Sequence, residues 1–308
     1  MNEAGRIMPD SKRIIFEKPD IALLRKDHTV FDMHFHTCYT DGRDAIPRIA
    51  ARARALGIGI AVTDHNDIRG ALEMDKYKDV PSIPGIEITS REGTHILVYF
   101  DQTRHLKKFY NKYVLPHLGA TVMSSTGLCM EEIVYCAKLF PAVTIFPHPY
   151  CVAYTGICNL NFDEFRLRRL LEAVDGLEVI NAENVHRWNR QCARLGLQLG
   201  KAITGGSDGH SLHHMGKVVT YAACEKSGPA MLDAVRNGGA CVIGKEINLF
   251  SKVASSGAKL NVPAAVYPDR LGKNIRYSYR AIHVQSVLIR QRLKLRFYKR
   301  RRRQDSII

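Results

Sequence analysis

Between residues 28 and 245, short apolar runs of β type alternate with helical patterns, and this alternation limits the chain to architectures built on a mainly parallel sheet. Residues 30–36 read as a buried strand, and 46–56 as a helix with Pro47 in its first turn and Gly57 at its end. Strand patterns recur at 58–63, 80–89, 94–100, 142–147, 177–181 and 202–205. Helical patterns fall at 68–77, 104–118, 130–139, 162–173 and 189–199. No internal repeat or long linker interrupts the series. The expected organisation is an N-terminal extension (1–27), one α/β domain (28–245) and a basic C-terminal extension (246–308).

The chain has 308 residues, 45% hydrophobic and 24% charged, so it can bury a sizeable core. Charges interrupt residues 1–27, and no apolar run of signal-peptide length is present there. The stretch 139–162 lacks acidic and basic residues, but Pro141, Pro147, Pro149 and Gly156 break it, which argues against a membrane span. Eight cysteines occur with no CxxC pair, against a zinc ribbon or disulfide scaffold and for reduced thiols in a cytoplasm. The net charge of +15 is lopsided: from Asn274 onward eleven Lys or Arg stand against the single acid Asp305.

The histidines and carboxylates fall at the ends of the strand patterns. His34 and His36 lie two apart on the first strand, so both imidazoles share a face and can bind one metal. Asp41 follows in the loop Thr40-Asp41-Gly42-Arg43. His65 ends the second strand in Thr63-Asp64-His65, and Glu87 stands alone in Pro84-Gly85-Ile86-Glu87. His95 opens its strand, His148 lies in Pro147-His148-Pro149, and Asp208 and His210 sit in Gly206-Ser207-Asp208-Gly209-His210. Nearly all of these are C-terminal strand ends, the edge where α/β barrels place their active sites. Any one of these residues has an ordinary structural reading; the whole set at strand ends points to a metal site. His28, His105, His117, His186, His213 and His214 match no such motif and read as surface or core residues.

In this order the motifs resemble the PHP (polymerase and histidinol phosphatase) family, over about residues 30–244. The patterns at 216–221, 230–237 and 241–244 look like the PHP-associated segment that closes standalone members. The resemblance implies a distorted (β/α)7 TIM-like barrel and a metal-dependent phosphoesterase, a phosphoric ester hydrolase. It also implies three divalent ions, Mn, Zn or Fe. His34, His36 and Asp208 would hold the first, Glu87 would bridge to the second, completed by His95 and His148, and Asp41, His65 and His210 would hold the third. Some relatives carry histidine where this chain has Asp41; the Asp form looks more like the standalone nucleotide and RNA-end phosphoesterases than the histidinol phosphatases.

Imidazole and carboxylate ligands suit such ions, and a bridged pair lowers the pKa of a shared water to about 7, giving hydroxide for attack on phosphorus. Glu87 and Asp208 are the residues expected to position that hydroxide. Asp32 and Asp64 fit a role in fixing the tautomers of neighbouring histidines, and Arg43 is placed to meet a substrate phosphate. The expected substrate is a phosphate ester on a nucleotide or oligonucleotide end. A small-molecule phosphomonoesterase of the histidinol-phosphatase kind and a metal-stabilised nucleic-acid-binding module are the alternatives. An amidohydrolase would want lysine or histidine where Glu87 stands. The basic run at 289–303 reads as a nucleic-acid arm, with a membrane-surface segment or a solvated tail as competing readings.

Overall fold

The computed structural model describes residues 13–151, 155–158 and 162–247. The basic run at 289–303, nearly all of the C-terminal extension and residues 1–12 lie outside the described residues. In chain order the elements are β1 (Ile14–Ile15), α1 (Ile21–Asp27), β2 (Thr29–Phe35), α2 (Ile46–Leu56), β3 (Gly59–Val62), α3 (Arg69–Met74) and β4 (Ser82–Thr89). They continue as β5 (His95–Phe100), α4 (Thr103–Phe109), α5 (Met130–Ala137), β6 (Ala142–Phe146), α6 (Glu164–Ala173), β7 (Gly176–Asn181) and α7 (His186–Leu199). The chain then forms β8 (Ala202–Gly206), β9 (Val218–Ala222), α8 (Gly228–Arg236) and β10 (Cys241–Gly244).

Local chemistry sets the helix ends. In α2 the apolar residues Ile46, Ile49, Ala50 and Ala53 recur at helical spacing and face the core, and Gly57 caps the helix in the left-handed conformation. Asp163 caps α6, its carboxylate accepting from the Arg166 N–H at 2.8 Å. The helix expected over 104–118 is interrupted: α4 ends at Phe109, a π turn spans Tyr110–Val114 and a 3-10 turn spans Leu115–His117. Pro116 has no N–H to continue an α-helical ladder, and the chain changes its hydrogen-bond spacing just before it.

The strands form one sheet in the order β1-β10-β9-β2-β3-β4-β5-β6-β7-β8. Its β2–β8 part curls into the expected α/β, TIM-like barrel wall. β5 runs antiparallel to both β4 and β6, which distorts the regular parallel pattern. The wall closes at its C-terminal rim, where Phe35 bridges to Gly209 and the His36 N–H donates to the Gly209 carbonyl at 3.0 Å. Away from that rim, β2 pairs instead with β9, and β1 joins the sheet through β10.

The strands of the wall are buried on both faces, as a helix-covered sheet requires. One face packs against the helices. Along β4 and β5, alternation puts Ile83, Leu97 and Tyr99 on the same side as Glu87 and His95. There they cluster with Phe31, Met33, Val143 and Ile145, and with Met231, Leu232 and Val235 of α8. Each such side chain contributes about 2 kcal/mol by leaving water. This apolar plug fills the barrel beneath the polar residues of the strand ends. Among the described residues no helix is long and apolar enough to cross a membrane, and the eight cysteines are all free.

Candidate metal centre

The C-terminal rim gathers all nine expected ligands. β2 delivers His34 and His36, whose Nε2 atoms lie 3.2 Å apart, both rings being fully buried. Glu87, near the end of β4, is the hub. Its Oε2 lies 3.4 Å from both His34 Nε2 and His36 Nε2 and 3.1 Å from His65 Nδ1. Its Oε1 lies 2.9 Å from His95 Nδ1 and 3.4 Å from His148 Nε2. Asp208 Oδ1 stands 3.0 Å from His36 Nε2 and 3.5 Å from His34 Nε2. On the far side of His36, Asp41 Oδ2 is 3.0 Å from His210 Nε2 and 3.8 Å from His65 Nε2. The rings of His65 and His210 each stack on His36 at 4.6 Å.

The backbone bends to bring these groups together. His148 and Asp208 adopt positive φ angles of 32° and 50°, as does Asn66 at 50°, each just beyond a strand. Such left-handed conformations are costly for residues with a side chain and collect where a site over-determines them. Asn66 is held by its Oδ1 accepting from the Thr89 N–H and its amide donating to the Val122 and Ser124 carbonyls.

Three sets of these residues place one donor atom each within 4.8 Å of one another: His36, Asp41, His65 and His210; His34, His36 and Glu87; and His65, Glu87 and His95. Several separations of about 3.0–3.5 Å match the edge of a coordination tetrahedron with bonds of about 2.1 Å. The tautomers make the same point. His34 Nδ1 lies 3.0 Å from Glu178 Oε1 and donates to it, so its Nε2 is the nitrogen turned to the oxygens of Glu87 and Asp208, and the one left as a lone pair once the ring is neutral. His36 Nδ1 and Glu87 Oε2 are buried and have no hydrogen-bond partner. Acceptors aimed at acceptors in a buried space fit a cation between them, so the donor set suits a divalent metal.

Without a cation, the imidazoles and carboxylates of the centre shift one another's titration. Burial raises the carboxyl of Glu87, but the imidazoles of His95, His65 and His34 outweigh it and hold the group well below its ordinary value. Asp41 and Asp208 are likewise held well below theirs, against their burial, by His210 and His65 in one case and His34 and His36 in the other. Burial lowers His34, yet Asp208, Glu178 and Glu87 push it well above 6.5. In His65 burial wins, and the imidazole falls to about 3.

Asp32 and Asp64 act differently from the expectation that they fix imidazole tautomers. Asp32 accepts from the backbone N–H groups of Ser207 at 2.8 Å and Gly216 at 2.9 Å, fastening the Asp208 loop. Asp64 accepts from the Thr37 N–H at 2.8 Å and from the Thr37 and Thr40 hydroxyls at 2.7 Å, fastening the Asp41 loop. Both carboxylates stabilise backbone and hydroxyls, because they lie behind the histidines. Arg43 is exposed, and its N–H donates to the His210 carbonyl at 3.0 Å, which sets it at the rim beside Asp41.

The carboxylate that holds an imidazole of the expected ligand set is Glu178, which the sequence alone does not single out. It lies inside an apolar strand pattern, and nothing in its immediate sequence marks it. Five of the six unassigned histidines find structural partners: His105 with Asp101, His186 with Glu246, His214 with Glu183, His28 against the Tyr221 ring and His117 with the Tyr113 carbonyl.

Comparison with known proteins bears on the fold and on one segment of the chain. A family model described as PHP-associated matches residues 186–239, the segment that includes Asp208 and His210. An uncharacterized protein of Methanocaldococcus jannaschii is 28% identical over 166 residues, covering 49% of this chain and 81% of its own. Among solved structures, a two-domain protein of Bacteroides vulgatus containing a predicted PHP-like metal-dependent phosphoesterase superposes with a TM-score of 0.53 at 16% identity, over 80% of this chain and 73% of that one. A lesion-specific endonuclease of Pyrococcus furiosus gives 0.54 at 17% identity, over 70% of this chain and 57% of that one. Endonuclease Q bound to a 27-mer duplex with an abasic lesion at its active site gives 0.52 at 16% identity, over 74% and 67%. The chain therefore has the PHP-type barrel fold and carries a PHP-associated segment.

Proposed function

We propose that this chain, PHP-type in its barrel and in its PHP-associated segment, is a metal-dependent phosphoesterase acting on a nucleotide or a nucleic-acid end. The observation that carries the reading is Glu87: one buried carboxylate faced by five imidazoles, with Asp41 and Asp208 completing the rim. His34, His36, Asp208 and Glu87 would hold one divalent ion, Glu87, His95 and His148 a second, and Asp41, His65 and His210 a third, with Mn, Zn or Fe suited to the donors. When bound, such ions lower the pKa of a water and neutralise phosphate oxygens. Phosphoryl transfer asks the protein mainly for position and charge, with no covalent nucleophile. Glu87 and Asp208 supply fixed negative charge at the centre, Asp32 and Asp64 keep the flanking loops in place, and Arg43 stands exposed at the rim on the side of Asp41, where a substrate phosphate would approach.

A nucleic-acid substrate is favoured over a small one by three features. Asp41 stands where the resemblance places histidine in some relatives, the neighbours include a lesion-specific endonuclease and endonuclease Q with a duplex substrate carrying an abasic lesion, and the net charge is +15. The basic run at 289–303 would add phosphate contacts. Eight free thiols suit a reducing cytoplasm.

The test is a panel assay with the full chain loaded with Mn²⁺ or Zn²⁺. It compares a nucleoside 3′,5′-bisphosphate, a 5′-phosphorylated oligonucleotide, an abasic-site duplex and histidinol phosphate. Cleavage of a nucleotide or nucleic-acid substrate, with histidinol phosphate spared, is the expected result. Preference for histidinol phosphate moves the reading to a small-molecule phosphomonoesterase. No product from any substrate ends the enzymatic reading in favour of a metal-stabilised binding module.

A further inference from the structure

We propose that Glu178 and Asn181, on β7, form a buried positioning pair that fixes the tautomer of His34 and locks His34, His148 and Asp208 into one frame. The proposal rests on the metal-centre reading above and adds the device that pre-forms it. Both residues are 1% exposed, and neither is among the expected ligands.

The bonds are saturated and directional. Glu178 Oε1 takes the Nδ1 proton of His34 at 3.0 Å, and Oε2 accepts from the His148 N–H at 2.9 Å and from Asn181 Nδ2 at 2.8 Å. The other proton of Asn181 Nδ2 goes to Asp208 Oδ2 at 3.2 Å, leaving Oδ1 of that carboxylate turned to His36. Asn181 is itself clamped, because the buried Asn189 of α7 bonds both its N–H, at 3.1 Å, and its carbonyl, at 2.9 Å. The chain of contacts thus runs from a helix through a strand end to His34, His148 and Asp208.

Strand geometry makes this pair unusual. Residues three apart on a regular strand point to opposite faces. A register shift between Glu178 and Ile180 turns the end of β7 so that both side chains meet on the ligand side. The consequence for chemistry lies in the imidazole. With one proton held on Nδ1, the nitrogen that His34 can offer to a metal as a lone pair is Nε2. It also sets the position of His148 through its backbone, at a residue whose φ is 32°.

The deciding variant is Glu178→Gln. Its amide oxygen must still face the His148 and Asn181 donors, so its NH2 faces His34 Nδ1 and drives the histidine proton to Nε2. Three measurements on the full chain are compared: Mn²⁺ affinity by titration calorimetry, the His34 tautomer by ¹⁵N NMR of the metal-free protein at a pH high enough for the ring to be neutral (assigned with His34→Gln), and metal-free Tm. The expected result is an Nδ1–H tautomer in the wild type and an Nε2–H tautomer in Glu178→Gln. Mn²⁺ binding should weaken about 10–100-fold, with the metal-free chain still cooperatively folded. Asn181→Ala should weaken binding in the same direction by a smaller factor and keep the Nδ1–H tautomer. An Nε2–H tautomer in the wild type, or Glu178→Gln affinity within about twofold of wild type, overturns the proposal. If Glu178→Gln fails to fold, the wild-type tautomer and the Asn181→Ala affinity decide instead. A wild-type chain that binds no Mn²⁺ or Zn²⁺ would sink the metal-centre reading itself, an outcome distinct from a wild type that binds while Glu178→Gln binds equally well.

Discussion

At the residue scale the centre is an electrostatic problem before it is a catalytic one. Asp41, Glu87 and Asp208 are three carboxylates set among imidazoles, and each is held below its ordinary pKa against the burial that would raise it. Glu87 matters most because both of its oxygens are engaged, each toward a different group of imidazoles. Glu87→Gln halves that capacity, since an amide offers one acceptor and turns an N–H toward the other group. Activity should fall by more than the factor of about 100 that loss of an outer-shell partner costs, with metal content per chain falling in parallel. Full turnover at full metal content would show that Glu87 does not bridge. Asp208→Ala separates catalysis from binding: an enzyme should lose nearly all turnover while keeping affinity for an oligonucleotide, whereas unchanged turnover would show that Asp208 takes no part in the reaction.

At the element scale the site depends on how closely β8 approaches β2. A Cβ built on Gly206 would lie 2.4 Å from the His34 Cβ and 2.6 Å from its N, and one on Gly209 would lie 2.5 Å from the Phe35 ring. Neither position has room for a side chain, and the contact they permit brings Asp208 to His36. Gly206→Ala should therefore destabilise by about 1–3 kcal/mol through overpacking and weaken metal binding as well. Gly238→Ala is the comparison, since its φ of +73° is strained for alanine but nothing lies within 4 Å. Its cost of about 1 kcal/mol should leave metal binding untouched. Thermal melts with metal titrations check both, and equal effects on binding would show that the β2–β8 approach is not what positions Asp208. The same contrast explains what the sequence could reveal. Strand ends rich in His, Asp and Glu were legible because period-2 alternation and C-terminal position suffice to place them. Glu178 and Asn181 were not, because their meeting depends on a bulge in β7. Asp32 and Asp64 were recognised as important, but only packing shows that they hold loops. The break after Phe109 was foreshadowed by Pro116, yet the shift to π and 3-10 turns depends on how the segment packs.

At the scale of the whole molecule, the apolar plug beneath the rim makes the barrel stable enough to hold a strained polar centre above it, and metal should add to that stability by mass action. At a free metal concentration of 100 times Kd the gain is about 2.7 kcal/mol, which in a domain of this size raises Tm by about 5–10 °C. The sign with pH follows from the imidazoles. His34 and His148 stand well above 6.5 in the metal-free chain, against the lowering effect of their burial: Asp208, Glu178 and Glu87 raise the first, and Cys151 and Glu87 the second. At neutral pH the metal-free protein therefore carries protons on groups that must be neutral to bind a cation. Metal binding expels those protons, so the metal-bound state holds fewer of them, and the metal-dependent part of the stability grows as pH rises through neutrality and fades as it falls. Titration calorimetry of Mn²⁺ in two buffers of different ionisation enthalpy should show net proton release at pH 7. Melts with and without chelator should show the Tm difference widening from pH 6 to pH 8. A difference that is flat across that range, with no proton release, would mean that the carboxylates of the metal-free centre are balanced by something other than protonated histidines.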